Sequence, residues 1–175
     1  MGQRGASAVF MPSKFVFPGG AVDAGDGERP GHLTADCTAR LSADVPAGAP
    51  VPDQIVAAGL RELAEETGLH ARSLVRLQFI FRAITPPGAP RRFDARFLFA
   101  PASIIEGDLE DFSAASDELG ALQWVPLARA RSFDLPFITE IILSEVAALI
   151  AGGDQPGVPF FDNRGPASRF TRLHG

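Results

Sequence analysis

Arg61-Glu62-Leu63-Ala64-Glu65-Glu66-Thr67-Gly68-Leu69 is the stretch on which the reading of this chain turns. It closes a helical pattern that begins at Pro52. Proline suits a first helical turn, Asp53 complements the positive N-terminal end, and Gly68 stands where a left-handed C-cap belongs. Ile55, Ala58 or Gly59, Leu60, Leu63 and Ala64 can supply the buried stripe. On such a helix Glu62 and Glu66 are one turn apart and Glu65 lies three positions from Glu62, so the three carboxylates share roughly a 100° arc. Like charges at that spacing repel, and Glu65 and Glu66 sit near the negative helix end, where acids are least favourable. Taken alone, the pattern fits a solvated acidic face, with Arg61 and Glu65 as an exposed i,i+4 ion pair worth under about 1 kcal/mol. A cation on the cluster is the alternative, and hard carboxylate oxygens suit Mg²⁺ or Mn²⁺.

The upstream sequence tips the balance toward the cation. Phe15-Val16-Phe17 reads as a short buried strand, and Pro18-Gly19-Gly20 is a strong breaker after it. A tight turn of this kind lets backbone carbonyls approach an ion. Such a turn together with a three-carboxylate helix is a rarer combination than either alone. Residues 24–51 are rich in Gly, Ala, Pro and Asp; a short helix over 33–41 fits, and the rest reads as a surface excursion. After the carboxylate helix, 74–84, 93–100 and 122–125 read as strands, and 136–150 as an amphipathic helix that starts at Pro136. The Gly/Pro-rich tail from 152 to 175 reads as chain that wraps the surface or lacks fixed order. Strands mixed with two substantial helices predict one α/β sandwich domain over 1–175.

Bulk properties narrow the function classes. The chain has 175 residues and a formal charge of −5, so it offers no broad cationic field for nucleic acid. One cysteine, Cys37, excludes an internal disulfide and a Cys-rich zinc site. No apolar run has the length of a membrane span, and Met1-Gly2-Gln3-Arg4 does not read as a signal peptide, so a cytoplasmic protein is expected. His32, His70 and His174 match no ligand spacing.

The segment from Arg61 to Leu69 resembles the second half of the signature of the Nudix family. That signature runs glycine, five residues, glutamate, seven residues, then Arg-Glu-aliphatic-x-Glu-Glu-x-Gly-aliphatic, and its first half is similar to the chain from Gly20. Asp26 stands where the early glutamate is expected. Gly20 and Arg61 are 41 positions apart, 27 more than in the signature, so Asp26 is left out of the metal set. The resemblance implies an α/β/α sandwich with a mixed β-sheet. It also implies a small-molecule nucleoside diphosphate derivative as partner, and Glu62, Glu65 and Glu66 as metal ligands with the Gly19 carbonyl beside them. Mg²⁺ or Mn²⁺ there would neutralise the diphosphate oxygens and activate water. Arg61 would orient the acids, and Glu118, six residues before Trp124, is a further candidate acid.

Phe10-Met11-Pro12, Phe15 to Asp23, Ile84-Thr85-Pro86 and Arg92 to Phe97 resemble a branch with a long insertion in the signature. That branch includes the peroxisomal acyl-coenzyme A diphosphatases of animals. Coenzyme A or acyl-coenzyme A is therefore the expected substrate, with ADP-ribose, dinucleotides, or nucleotide binding without hydrolysis as alternatives. Arg92 and Arg96 are candidate phosphate contacts, because arginine grips phosphate bidentately. Strand alternation offers them a solvated face instead, opposite Phe93 and Phe97. Members of the family enter the sheet through a strand earlier than Met1, so the first strand is expected to be missing, or the sheet to be completed by another route such as a homodimer across its open edge.

Overall fold

The structure, a computed structural model, describes residues 1–27, 32–73 and 75–175. Residues 28–31 of the expected surface excursion, and Leu74 at the start of the expected strand 74–84, lie outside the described residues.

Helix α2 forms over Pro52–Thr67, the bounds that Pro52 and Gly68 predict. Gln54 Oε1 accepts from the Val51 N–H at 3.1 Å, and Gly68, at φ 74, returns its N–H to the Ala64 carbonyl at 2.8 Å. A residue with a side chain would be strained at that φ. The buried face differs from the apolar stripe read from sequence. Leu63 and Ala64 are half-buried, whereas Glu62 and Glu66 are 9% and 2% exposed. Two of the three acids point inward, which removes the solvated reading for Glu62 and Glu66, while Glu65 stays exposed.

Around α2 the chain builds, in order, β1 (Gly2–Arg4), β2 (Phe15–Val16), α1 (Ala35–Ser42), α2, β3 (Gln78–Ile84) and β4 (Asp94–Phe99). Then follow β5 (Leu119–Gly120), α3 (Leu127–Ala130), α4 (Phe137–Ile150), β6 (Val158–Asp162) and β7 (Arg169–Leu173). Thr34 caps α1 by accepting the Cys37 N–H. Two sheets result: a small antiparallel one, β2-β1-β5, and a mixed one, β4-β3-β6-β7, in which β3 and β6 run parallel. Side chains of α1 and α2 (Cys37, Leu41, Ile55) pack on Phe79, Ile84, Val158 and Phe160 on one face of the mixed sheet. Ile142 of α4 packs on Ile80, Phe81 and Ala83 on the other. This is the expected α/β/α arrangement. β3 is covered on both faces, so it reads as an unbroken apolar run. A register shift between Phe79 and Phe81 turns Ile80 and Phe81 toward the same helix.

Two sequence expectations fail for physical reasons. The tail does not wrap the surface: its residues 158–162 and 169–173 form a hairpin that joins the sheet, with Val158 and Phe160 0% and 2% exposed. The alternation Val158, Phe160 was hidden by Pro159 and the flanking glycines. Parallel pairing of β3 with β6, at Arg82↔Phe160, means that the far end of the chain supplies this neighbour of β3. Residues 122–125 do not form a regular strand. Ala121 sits at φ 49 and breaks the extended run, although Gln123 and Met1 still exchange backbone hydrogen bonds beyond β1 and β5.

Arg82 fastens the sheet to the loop after α1. Its guanidinium is 1% exposed, meets both oxygens of Asp94 (2.8 and 2.7 Å), donates to the carbonyls of Ala43 and Asp44, and lies 4.5 Å over the Phe160 ring. No helix among the described residues is long and apolar enough to cross a membrane.

Phe160 carries both the packing of β6 and the stacking of Arg82. Phe160→Ala is expected to cost about 3–5 kcal/mol in urea unfolding. Phe170→Ala, on the exposed strand, is expected to cost about 1 kcal/mol or less.

Candidate functional site

The last two turns of α2 meet the turn at Pro18–Gly20 and the loop that enters β5. Three features hold the turn against the helix. The Gly19 N–H donates to Glu66 Oε2 at 2.7 Å. Gly20 lies so close to Glu62 that a Cβ there would fall 2.1 Å from its Oε1, so no side chain fits without displacing the carboxylate. Arg61 Nη2 donates to the Ala21 carbonyl at 2.9 Å. The entering loop is tied down by the Ser116 N–H, which donates to the Glu65 carbonyl at 2.8 Å.

These contacts bring Glu62, Glu66 and Glu118 together: each offers a carboxylate oxygen, and the three oxygens lie within 4.8 Å of one another. Glu62 and Glu66 are buried and Glu118 is exposed, so the cluster opens to solvent on one side. Burial first, then the charges of Glu118 and Glu62, push the Glu66 carboxyl up to about 7, against the pull of the Gly19 N–H and of Arg4. The group is a set of converging, under-compensated oxygens, which is the donor chemistry that a hard divalent cation requires.

Glu65 goes elsewhere. It is exposed and bonds Arg61 Nη1 through Oε2 at 3.0 Å, as i,i+4 spacing allows. The same Nη1 holds Glu62 Oε1 at 2.8 Å. Asp26, set aside in the sequence reading, is 5% exposed and receives Nε and Nη2 of Arg61 at 2.8 and 3.1 Å. It thus belongs to the arginine and not to the carboxylate cluster. Twenty-seven extra positions do not displace it, because the Arg61 fork captures it on the far side of Gly20. A cleft of about 260 Å³ runs beside Arg61 and Glu65 toward His70.

The other sequence candidates are not brought to the cluster. Arg92 is exposed and donates to the Thr85 carbonyl at 3.3 Å. Arg96 is buried rather than on a solvated face: its side chain is 9% exposed, and it meets Asp94 Oδ2 at 3.0 Å beside Arg82. Gly19 reaches the acids through its N–H. Arg4 was not expected beside the acids: its charge bears on Glu66, and its Nε is held by the Phe10 carbonyl at 3.0 Å. The signal for it was weak, because nothing in the sequence places β1 beside the end of α2.

A raised folded-state pKa makes stability fall as pH rises. Glu66 takes up its proton more readily folded than unfolded, so its contribution is full below about 4.5 and is lost as pH climbs through about 7. Metal-free protein is therefore expected to melt lower at pH 8 than at pH 5, by at most about 3 kcal/mol from this group. Glu66→Gln is expected to flatten that part of the profile in a series of thermal melts with chelator.

A family model for the NUDIX domain matches residues 28–143, roughly two thirds of the chain. No curated protein matches. Among solved structures, the crystal structure of a NUDIX hydrolase from Alicyclobacillus acidocaldarius is similar, with a TM-score of 0.55 and 25% sequence identity. The match covers 86% of this chain and 85% of that one. The matched span contains α2 with its acids as well as Glu118. The chain belongs to the Nudix family of hydrolases, which act on nucleoside diphosphate derivatives.

Proposed function

We propose that Glu62, Glu66 and Glu118 hold Mg²⁺ or Mn²⁺, with Glu65 at the rim and the Gly19 carbonyl beside them, and that the enzyme hydrolyses the diphosphate bond of coenzyme A or an acyl-coenzyme A. The observation that carries the reading is the convergence of three carboxylates from two separate segments, two of them buried. Arg61 offsets one oxygen of Glu62, and a divalent cation would offset the repulsion that remains. When bound, that cation neutralises the diphosphate oxygens and makes water more acidic.

The chain's own residues do the rest. The Gly19 N–H fixes one oxygen of Glu66, and Arg61 fixes one oxygen of Glu62, so both acids present their remaining lone pairs in a set direction. In the reaction, water adds to one phosphorus, a carboxylate of the cluster takes its proton, and the P–O bond to the departing phosphate breaks. Negative charge grows on the departing oxygen, and Arg4, whose charge bears on Glu66, adds a cationic field to the cluster.

Coenzyme A species are favoured by the resemblance of Phe10-Met11-Pro12 and Phe15 to Asp23 to that branch of the family. ADP-ribose and dinucleotides are the second reading within the same chemistry. Nucleotide binding without hydrolysis is disfavoured by the complete set of Arg61, Glu62, Glu65 and Glu66.

The test is a chromatographic screen for the two cleavage products with Mg²⁺ and with Mn²⁺ across coenzyme A, acetyl-coenzyme A, ADP-ribose, NADH and diadenosine polyphosphates. Turnover of coenzyme A species is expected; turnover of the others alone would remove that substrate. Glu66→Gln is expected to lower kcat by at least about 100-fold, since even indirect partners of a metal cost 10–100-fold. Gly20→Ala is expected to lower it by at least about tenfold by pushing Glu62 aside. Activity unchanged in Glu66→Gln would sink the assignment of the cluster.

A further inference from the structure

Two hairpin loops meet beside the carboxylate cluster. One joins β1 to β2 and carries Phe10; the other joins β3 to β4 and ends at Phe93. Their rings touch, with centroids 5.0 Å apart and planes tilted by 58°. Arg4 ties the first loop to the cluster. It pairs with Leu119, the residue after Glu118, and its Nε donates to the Phe10 carbonyl at 3.0 Å. Phe10 is therefore one arginine side chain away from the acids.

Phe93 stays open although Phe10 covers part of it: it is 38% exposed and belongs to none of the hydrophobic clusters that join the sheets to the helices. It is nonetheless held firmly. Its N–H donates to Thr85 Oγ1 at 3.0 Å, and its carbonyl accepts from the Thr85 N–H at 2.9 Å. The backbone beyond Phe10 is left-handed at two residues with side chains, Met11 (φ 52) and Ser13 (φ 60), and strain of that kind collects at ligand clamps. An exposed ring that is rigidly mounted and backed by a second ring suits a flat apolar partner, because little order remains to be imposed on binding. Charge adds a condition. Residues 1–22 and 85–93 carry Arg4, Lys14, Arg91 and Arg92 and no acid, on a chain whose formal charge is −5. Asp134 pairs with Lys14 alone of the four. The partner that fits is thus flat, aromatic and joined to an anion.

We propose that Phe93, backed by Phe10, is the platform on which the base of the nucleotide substrate stacks while its diphosphate lies against the carboxylates. A base lies a ribose and a phosphate away from the bond that breaks, so its platform belongs beside the cluster and not in it. Coenzyme A species, ADP-ribose and diadenosine polyphosphates all carry adenine, so the platform serves whichever of them is the substrate. The inference rests on Glu62, Glu66 and Glu118 being the hydrolytic site, and not on the choice among those substrates. The base does not react, so its stack is the same in the bound and transition states. Losing it raises KM and leaves kcat in place.

Two measurements on the whole chain with Mg²⁺ test it. In steady-state kinetics on coenzyme A and on ADP-ribose, Phe93→Ala is expected to raise KM about tenfold, the size of one lost base–aromatic stack, with kcat within about twofold. Phe93→Leu keeps the apolar bulk that packs on Phe10 and is expected to raise KM too, whereas Phe93→Trp is expected to hold it. A residue that only packs would be rescued by leucine. The second measurement is saturation-transfer NMR with adenosine 5′-monophosphate, which has no diphosphate to cleave. Saturation strongest at the adenine H2 and H8 protons is expected, lost in Phe93→Ala and kept in Phe93→Trp. Phe93 lies outside the core clusters, so its variants keep the fold, and a melting curve for each verifies that. Wild-type protein that cleaves neither substrate removes the hydrolytic site, and the NMR result then decides the stack by itself. An unchanged KM in Phe93→Ala, rescue by Phe93→Leu, or no adenine saturation in the wild type would overturn the platform.

Discussion

One guanidinium group organises the end of the molecule that carries the carboxylate cluster. Arg61 reaches Asp23, Asp26, Glu62, Glu65 and the Ala21 carbonyl, five partners from two stretches of chain. Its side chain is 26% exposed, and its pKa is pushed further upward, by Asp26 first. A group that is charged at every accessible pH can act as a permanent peg. It closes the loop after Gly20 onto the helix, and it also fixes the direction of Glu62. Lysine could supply the charge but not the fork, because the fork receives two oxygens of Asp26 while a different nitrogen serves the two glutamates.

The peg makes an otherwise costly arrangement sustainable. Burying Glu62 and Glu66 one turn apart near the negative end of a helix opposes desolvation, like-charge repulsion and the helix dipole together. The chain meets that cost with rigid partners: the Gly19 N–H on one acid, Arg61 on the other, and a glycine at position 20 with no side chain to separate turn from helix. Charge remains under-compensated where Glu118 approaches. Converging buried acids of this kind cost stability, which is the pattern expected where stability is given up for function.

Much of this was legible in the sequence, and the parts that were not share a cause. Pro52, Gly68 and the period between them gave α2 its bounds, because caps and periodicity are local. Pro18-Gly19-Gly20 announced the turn for the same reason. What failed was non-local. Asp26 could not be placed by counting residues, since a side-chain fork decides where it docks. Arg4 is near Glu66 only because β1 pairs with β5. Alternation left Arg96 open to a solvated face or a phosphate contact, yet it is buried beside Asp94 and Arg82. The tail hid two strands because Pro159 and nearby glycines mask an alternation that makes sense only beside β3.

That last strand pair sets the order in which the molecule can be finished. α2, the Pro18–Gly20 turn and the entering loop all precede residue 121, but β6 begins at residue 158. The neighbour that β6 provides to β3 lies 78 positions along the chain, at Arg82↔Phe160. A loop of that length must close before the pairing is rewarded, which makes such steps slow. While the chain is still emerging from the ribosome, β3 therefore has β4 on one side and an open edge on the other. Phe79, Ile80 and Phe81 stand on that strand, and during this interval it resembles the aggregation-prone edges that chaperones guard. The carboxylate cluster is synthesised early, but β3 is covered on both sides only when β6 and β7 arrive.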